Sequence, residues 1–183
     1  MAAIAGSFDP RFMVISVRAP IALEPFAFAW FHVTFTPGGP VIDAGEAQAA
    51  WRTMARFIDE AVRAYEADPA RVFIAGFSQG GILALATMLT APELVAGAVC
   101  MSGRLPPEVL PHLAPDARLE GKPVLIVHGI GDETLAVEYG RSARATLGAL
   151  PLALEYREFD IGHTTTPESL AAVATWLARL VPP

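Results

Sequence analysis

The chain has 183 residues, of which 53% are hydrophobic and 17% are charged, and its net charge is −6. This length and composition fit one globular domain over residues 1–183 and exclude a disordered chain. The negative charge, without a Lys/Arg cluster, argues against binding to nucleic acid or acidic lipid and favours a small-molecule substrate. Cys100 is the only cysteine, so no internal disulfide can form.

The amino-terminal residues do not resemble a secretory signal. They carry no early positive charge, and Asp9 and Pro10 interrupt the apolar stretch that precedes them. Apolar runs elsewhere are far shorter than the roughly 18 residues that a membrane-spanning helix needs. We therefore predict a cytoplasmic protein without an integral membrane segment.

Short apolar runs alternate with helical patterns along the chain. In chain order they predict a strand at 11–17, a helix at 43–67, a strand at 71–76, a helix at 79–89, strands at 96–103 and 122–129, a helix at 133–147, a strand at 152–160 and a helix at 167–180. Asp43 and Thr166 are the expected N-caps of the first and last helices. The alternation predicts an α/β fold with a mostly parallel sheet and helices on both faces.

Two stretches interrupt this alternation. Residues 20–42 combine prolines, aromatic residues and a Gly-Gly turn, which predicts a long structured loop or a small hairpin. Residues 104–121 are rich in proline and predict an excursion with about one helical turn.

The segment "GFSQG" at residues 76–80 joins a buried strand directly to a helix. It matches G-x-S-x-G, in which a sharp, strained turn lifts the serine hydroxyl clear of the sheet. Glycine is expected at positions 76 and 80, because a Cβ at either would collide with the neighbouring strand or helix. Ser78 is therefore a candidate nucleophile; the alternative is that its side chain only caps the helix.

Two further residues can complete a catalytic group with this serine. Asp132 follows the strand at 122–129 and His163 follows the strand at 152–160, so both are expected at the carboxyl edge of the sheet, where ligands bind. The order Ser78, Asp132, His163 is that of α/β-hydrolases. The sequence predicts a triad in which the carboxylate orients the imidazole and the imidazole takes the serine proton.

Other residues are weaker candidates for these roles. Asp160 lies near the candidate base but at a strand end, and Glu133 is a weaker substitute for the acid. His128 ends a buried strand, where a hydrogen-bonded structural histidine is expected, while His32 and His112 are expected at the surface.

Two alternatives do not use the serine as a nucleophile. A metal site of His128, Asp132 and His163 lacks a helix-borne pair such as H-E-x-x-H. A phosphate cradle at "GFSQGG" lacks the lysine and the glycine spacing of phosphate-binding loops. The triad explains more of these residues than either alternative.

Six segments resemble the phospholipase/carboxylesterase family of α/β-hydrolases, which is related to the acyl-protein thioesterases. They are "GFSQGG", "HGIGD", "GHTTTPESL", "DPRFMVISVRAP", "FAWF" and "LVAGAVCMSGRLP", and the resemblance runs from Phe8 nearly to the end. It implies hydrolysis of carboxylic ester, thioester or lysophospholipid-like bonds of small acyl substrates, without a cofactor. It also implies Ser78, Asp132 and His163 as the triad and the backbone amide of Gln79 as an oxyanion donor.

Members of that family usually start with an earlier strand and a His-Gly-x-Gly loop that supplies a second oxyanion donor. This sequence has no such segment. A vacant sheet position would leave two rows of buried backbone groups unpaired. We therefore expect the strands at 11–17 and 71–76 to pair directly, through the helix at 43–67; a strand from another copy and a longer natural chain are the alternatives.

Trp30 and Phe31 are candidates for the acyl pocket, and the alternative is that they are core aromatic residues beneath a loop. A catalytically weak or silent hydrolase-like protein that binds a ligand or partner at the same edge is the alternative function. The sequence leaves acyl-chain length and oligomeric state open, a homodimer included.

Overall fold

The computed structural model describes the backbone of residues 2–181 and the side chains of residues 5–181. The strands are β1 (Ile21–Glu24), β2 (Ala27–Ala29), β3 (Val33–Thr36), β4 (Gly39–Ile42), β5 (Phe73–Phe77), β6 (Gly97–Met101), β7 (Pro123–Gly129) and β8 (Ala153–Phe159). The α-helices are α1 (Ala44–Ala64), α2 (Gln79–Thr90), α3 (Asp116–Leu119), α4 (Val137–Leu147) and α5 (Pro167–Arg179). Short 3-10 helices cover Ala2–Ser7, Pro69–Arg71, Pro92–Leu94 and Pro107–His112.

A parallel sheet of four strands, in the order β5-β6-β7-β8, forms the centre of the fold. The strands follow one another in both sequence and space, and helices connect them, as parallel neighbours require. All four therefore end at the same edge of the sheet. The predicted parallel sheet is confirmed, and the predicted bounds of these four strands are within about two residues of those observed.

Helices cover both faces of the sheet. Successive strand residues point to opposite faces: in β6, Cys100 belongs to the buried cluster that includes α1, α2 and α4, while Val99 belongs to a second cluster. This second cluster contains Val173 and Trp176 of α5. The predicted α/β fold, with helices on both faces of a parallel sheet, is confirmed.

Side-chain caps fix where the first and last long helices begin. The Asp43 carboxylate accepts a hydrogen bond from the amide of Glu46 at 2.8 Å, at the start of α1. Thr166 and Ser169 form a reciprocal capping box at the start of α5. Both predicted N-caps are confirmed, because each side chain satisfies an amide that has no acceptor within the helix.

Helix α4 begins four residues later than predicted. The Asp132 carboxylate accepts hydrogen bonds from the amides of Thr134 and Leu135, at 2.9 and 2.8 Å. These side-chain bonds hold the backbone in a turn and compete with helix formation. The helix therefore starts at Val137 rather than at residue 133.

The predicted strand at 11–17 is wrong, and so is its direct pairing with the strand at 71–76. Among the described residues, β5 pairs only with β6 and forms one edge of the sheet. Phe12 packs on the cluster beside α5, and Val17 packs on the cluster of the opposite face. The chain between them passes from one face to the other instead of running alongside β5, and Met13 is 60% exposed.

Residues 20–42 form two β-hairpins, where the sequence predicted a loop or one small hairpin. Strands β1 and β2 pair antiparallel, as do β3 and β4. Gly39, the first residue of β4 after the second turn, has a φ of +104°, a region that favours glycine. A Cβ at this position would lie 2.5 Å from the hydroxyl oxygen of Tyr139, so the tip of the second hairpin rests on α4.

The excursion at 104–121 contains the 3-10 helix Pro107–His112 and the single turn of α3. Its prolines prevent a longer helix by removing backbone donors.

Candidate active site

Ser78 lies on a strained turn between the end of β5 and the start of α2. Its φ of 53° and ψ of −117° are unusual for a residue with a side chain. The turn is held because the Ser78 amide donates to the carbonyl of Met101 in β6, at 2.9 Å. The side chain makes no capping hydrogen bond with α2, so the alternative of a helix cap is wrong.

Close backbone contact explains one of the two flanking glycines. A Cβ at Gly76 would clash with the backbone of Gly80, so position 76 requires glycine. A Cβ at Gly80 would meet nothing within 4 Å, so the expected need for glycine there is wrong. The backbone of Gly80 lies close to Gly76, but a side chain at position 80 would point into open space.

The next glycine, Gly81, lets α2 lie close against β6. A Cβ there would lie 2.9 Å from the sulfur of Cys100. A Cβ at Gly103, on the other side of this junction, would lie 2.6 Å from the same sulfur. Burial raises the pKa of the Cys100 thiol to about 12.

The structure brings the three predicted residues into one hydrogen-bonded chain. Nε2 of His163 lies 3.1 Å from Oγ of Ser78, and Nδ1 lies 2.7 Å from Oδ2 of Asp132. The ring also stacks against Phe77, with centroids 4.7 Å apart. Each residue follows a different strand, and the parallel sheet brings the three together at its carboxyl edge.

The two oxygens of the Asp132 carboxylate have separate partners. Oδ1 accepts the two loop amides of Thr134 and Leu135, and Oδ2 faces the imidazole. The side chain is fully buried, whereas that of His163 is 19% exposed. The loop therefore fixes the carboxylate, and the carboxylate fixes the orientation of the ring.

A cavity of about 270 Å³ opens beside Ser78. Its apolar walls come mainly from the two hairpins, and its lining comprises Leu23, Ala29, Phe31, His32, Val33, Phe35, Pro40, Ile42, Ser78, Gln79, Ile82, Arg104, Thr134 and Leu135. Phe31 is both fully buried and part of the lining, so it serves core and cavity together. Trp30 packs against the core and is not part of the lining.

A family model described as phospholipase/carboxylesterase matches residues 16–181. This chain belongs to the phospholipase/carboxylesterase family. A probable carboxylesterase of Oryza sativa subsp. japonica is 32% identical over 155 residues, which are 81% of this chain and 57% of that protein. The crystal structure of Arabidopsis thaliana SOBER1 is 28% identical, with a TM-score of 0.71 over 83% of this chain and 73% of that one.

The crystal structure of the Bacillus cereus carboxylesterase is 22% identical and shares the fold. Its TM-score is 0.83 over 98% of this chain and 81% of that one. The chain spans 57% and 58% of the length of two of the curated plant relatives that it matches.

His128 of this family member is buried beside the candidate acid. Its Nε2 lies 2.8 Å from the carbonyl of Leu135 and 3.6 Å from Oδ2 of Asp132. A carbonyl only accepts, so Nε2 carries the proton. The predicted structural role of His128 is confirmed. Its hydrogen bond holds the loop that also carries Asp132. The only sequence signal for this contact is that His128 and Asp132 are four residues apart.

The side chain of Gln79 has a role that sequence reasoning missed. Its Oε1 accepts from the amide of Trp30 at 2.8 Å, and its Nε2 donates to the carbonyl of Phe31 at 2.9 Å. Both bonds join residues almost fifty positions apart, so no local pattern predicts them. They tie the segment between the two hairpins to the first residue of α2.

The weaker candidates lie outside the hydrogen-bonded chain. Asp160 and Glu133 are exposed, and neither is bonded to the candidate base. His32 is exposed, pairs with Glu46 and borders the cavity. His112 is exposed and is bonded to Gln48 rather than to any site residue.

Within residues 5–181, no cluster of three or more His, Cys, Asp or Glu side chains could hold a metal ion. None of the helices formed by the described part of the chain combines the length and apolar character needed to cross a membrane.

Proposed function

We propose that this chain is a serine hydrolase that cleaves carboxylic ester or thioester bonds of small acyl substrates. One observation carries the proposal: Asp132, His163 and Ser78 form a continuous hydrogen-bonded chain, and Ser78 at its end lines a largely apolar cavity. Family membership supports the same chemistry. The apolar hairpin walls suit an acyl chain, and Ser78 lines the same cavity, where its hydroxyl could attack the carbonyl carbon of a bound ester.

The reaction has two halves. Nε2 of His163 takes the proton as Oγ of Ser78 attacks the ester carbonyl, forming a tetrahedral intermediate. The intermediate expels the alcohol or thiol, which receives the proton from His163, and the acyl group stays on the serine. A water molecule then attacks the acyl-enzyme by the same steps and releases the carboxylic acid.

Asp132 supports both halves without exchanging a proton. Nδ1–H of His163 donates to Oδ2, which leaves Nε2 unprotonated and able to accept the serine proton. The carboxylate also stabilises the imidazolium that forms. Because Oδ1 is occupied by two loop amides, the carboxylate cannot rotate away from the ring.

The amide of Gln79 is the proposed donor to the oxyanion. Gln79 is the first residue of α2, and the backbone amides of a first helical turn have no acceptor within the helix. The positive end of the helix dipole adds to its effect. One such donor is worth about 2.7–4 kcal/mol of transition-state stabilisation.

A fluorophosphonate probe tests the proposal, because it labels only an activated serine. We expect the purified protein to be labelled and to hydrolyse p-nitrophenyl butyrate, and Ser78→Ala to lose both properties. Ser142→Ala, an exposed serine on α4, is the matched control and should keep both. A folded protein that resists the probe would instead be a silent hydrolase-like binder.

A further inference from the structure

Arg104 places a guanidinium in the wall of the same cavity that contains Ser78. The other polar side chains of the wall are mostly committed elsewhere: His32 pairs with Glu46, and Gln79 is bonded to the hairpin segment. A cation is unexpected in a pocket that otherwise suits an aliphatic chain. Its presence indicates that the ligand carries a negatively charged group.

The guanidinium lacks a protein counter-charge. Nε of Arg104 is buried without a hydrogen-bond partner, and the group forms no ion pair with a carboxylate within the described residues. Glu108, four residues further along the chain, also leaves a carboxylate oxygen without a hydrogen-bond partner and forms no hydrogen bond with that Nε. The group stacks on Tyr139, with 5.8 Å from its central carbon to the ring centroid. Arg104 is half-buried, and burying its Nε–H without an acceptor is costly, so a bound anion that accepts from it would relieve that cost.

The backbone before Arg104 is fixed against the nucleophile turn. Ser102 has a φ of 45° and donates its amide to the carbonyl of Val127 at 2.8 Å. A Cβ at Gly103 would lie 3.1 Å from the amide nitrogen of Ile82 in the first turn of α2. Strained residues of this kind persist where the surrounding structure holds them, often at functional sites. The backbone that carries Arg104 is thus held close to the turn that contains Ser78.

We propose that Arg104 binds a free carboxylate of the substrate, so that the preferred esters or thioesters carry a second, ionised acid group. This inference rests on the proposed function. The planar guanidinium can donate two parallel hydrogen bonds to a carboxylate, a match that lysine cannot reproduce. The carboxylate can belong to the acyl chain or to the leaving group, and two pairs of substrates distinguish these cases.

The first pair is mono-p-nitrophenyl adipate and p-nitrophenyl hexanoate, whose six-carbon acyl chains end in a carboxylate and a methyl group. The second pair is carboxymethyl butyrate and propyl butyrate, which differ only in the leaving group. We expect the protein to prefer the charged member of one pair. In Arg104→Met the charged-to-neutral ratio of kcat/KM for that pair should fall by about 10- to 100-fold, mainly through KM, because charged hydrogen bonds contribute about 1.5–3 kcal/mol.

Two variants test the cause of that fall. Arg104→Lys should restore only part of the ratio. Arg144→Met is the matched control: Arg144 also stacks on a tyrosine, Tyr156 at 5.3 Å, but lies outside the cavity lining. Its ratio should stay within about twofold of the unmodified protein. An equal loss on both members of a pair would show that Arg104 only supports the cavity, and an unchanged ratio in both pairs would overturn the proposal.

Direct binding separates this proposal from the proposed function. Calorimetry with mono-methyl adipate and with carboxymethyl butyrate on Ser78→Ala needs no catalysis. Binding of either compound that weakens about 10-fold or more when Arg104→Met is added supports the carboxylate site, even if the fluorophosphonate probe finds no active serine. Failure of both compounds to bind, or equal affinity in both proteins, overturns the site while leaving the hydrolase proposal intact.

Discussion

Two histidines lie beside the Asp132 carboxylate and differ in what their ring nitrogens contact. Nδ1 of His163 faces the Asp132 carboxylate at 2.7 Å, and Nε2 faces the Ser78 hydroxyl, which can give up a proton, at 3.1 Å. His128 is completely buried, and its Nε2 faces the carbonyl of Leu135 at 2.8 Å. The ring of His163 is partly exposed, and the ring of His128 is buried inside the fold.

The difference shows that proximity to a carboxylate does not make a histidine a base. A carbonyl only accepts hydrogen bonds, so the proton on Nε2 of His128 is committed to holding the loop. The partners of His163 are a carboxylate and a hydroxyl, and its Nε2 is therefore able to accept a proton. The hydrogen-bond partners of each ring, rather than its distance from Asp132, distinguish a structural histidine from a candidate base.

The largest effect is expected at the partly exposed ring. On the proposed mechanism, His163→Ala removes the base, and kcat for p-nitrophenyl butyrate should fall by roughly a million-fold. Stability should change little, because the ring is not part of the core. Steady-state kinetics and a thermal melt of the same sample measure both quantities. Retention of more than about 1% of the activity would contradict the assignment.

Asp132→Asn tests the carboxylate that both rings approach. The amide oxygen can still accept the amides of Thr134 and Leu135, but the amide nitrogen would donate toward Nδ1 and impose the wrong tautomer on His163. We expect kcat to fall by roughly ten-thousand-fold. A crystal structure of the variant should retain the loop. Activity within about tenfold of the unmodified protein would mean that another group orients the ring.

His128→Phe should affect stability more than chemistry. The change leaves the buried carbonyl of Leu135 without a donor, which costs about 1–3 kcal/mol in the free energy of unfolding. Movement of the loop should lower kcat by no more than about tenfold. Urea unfolding and kinetics measure the two effects, and His128→Gln, which keeps a donor, is the control. A loss of activity as large as that of His163→Ala would contradict the comparison.

The smallest effect is expected at the rival acid. Asp160 is exposed and the candidate base is already paired with Asp132, so Asp160→Asn should leave kcat/KM within about twofold. The same ester assay measures it, with Glu133→Gln as a second exposed control. A large loss in the first variant alone would assign the acid role to Asp160.

The central strands and the meeting of the three candidate site residues could be predicted because their signals are local. A continuous apolar run marks β5, β6 and β7, whereas β8 includes charged residues and is marked less clearly. Chain order places Ser78, Asp132 and His163 after three of these four strands. The strained turn is visible in "GFSQG", because Gly76 must admit the backbone of Gly80. The parallel topology then brings the three side chains to one edge without further information.

The residues from 11 to 42 could not be predicted in the same way. The run at 11–17 is as apolar as a strand, but a strand needs a partner, and composition does not show that Phe12 and Val17 attach to opposite faces. Gln79 reaches the hairpin segment through contacts that are distant in sequence. Arg104 follows a strand end and begins a proline-rich stretch. Only the folded structure shows that it lines the cavity beside Ser78.

Cys100 gives this fold a built-in chemical reporter. Its thiol lies at the junction of α2 and β6, closed by Gly81 and Gly103. Only a thiolate reacts with disulfide reagents, and a pKa of about 12 with full burial suppresses that reaction in the closed state. The labelling rate of the single cysteine therefore measures how often α2 separates from β6. The free energy of opening beside the candidate active site can thus be followed without a mutation.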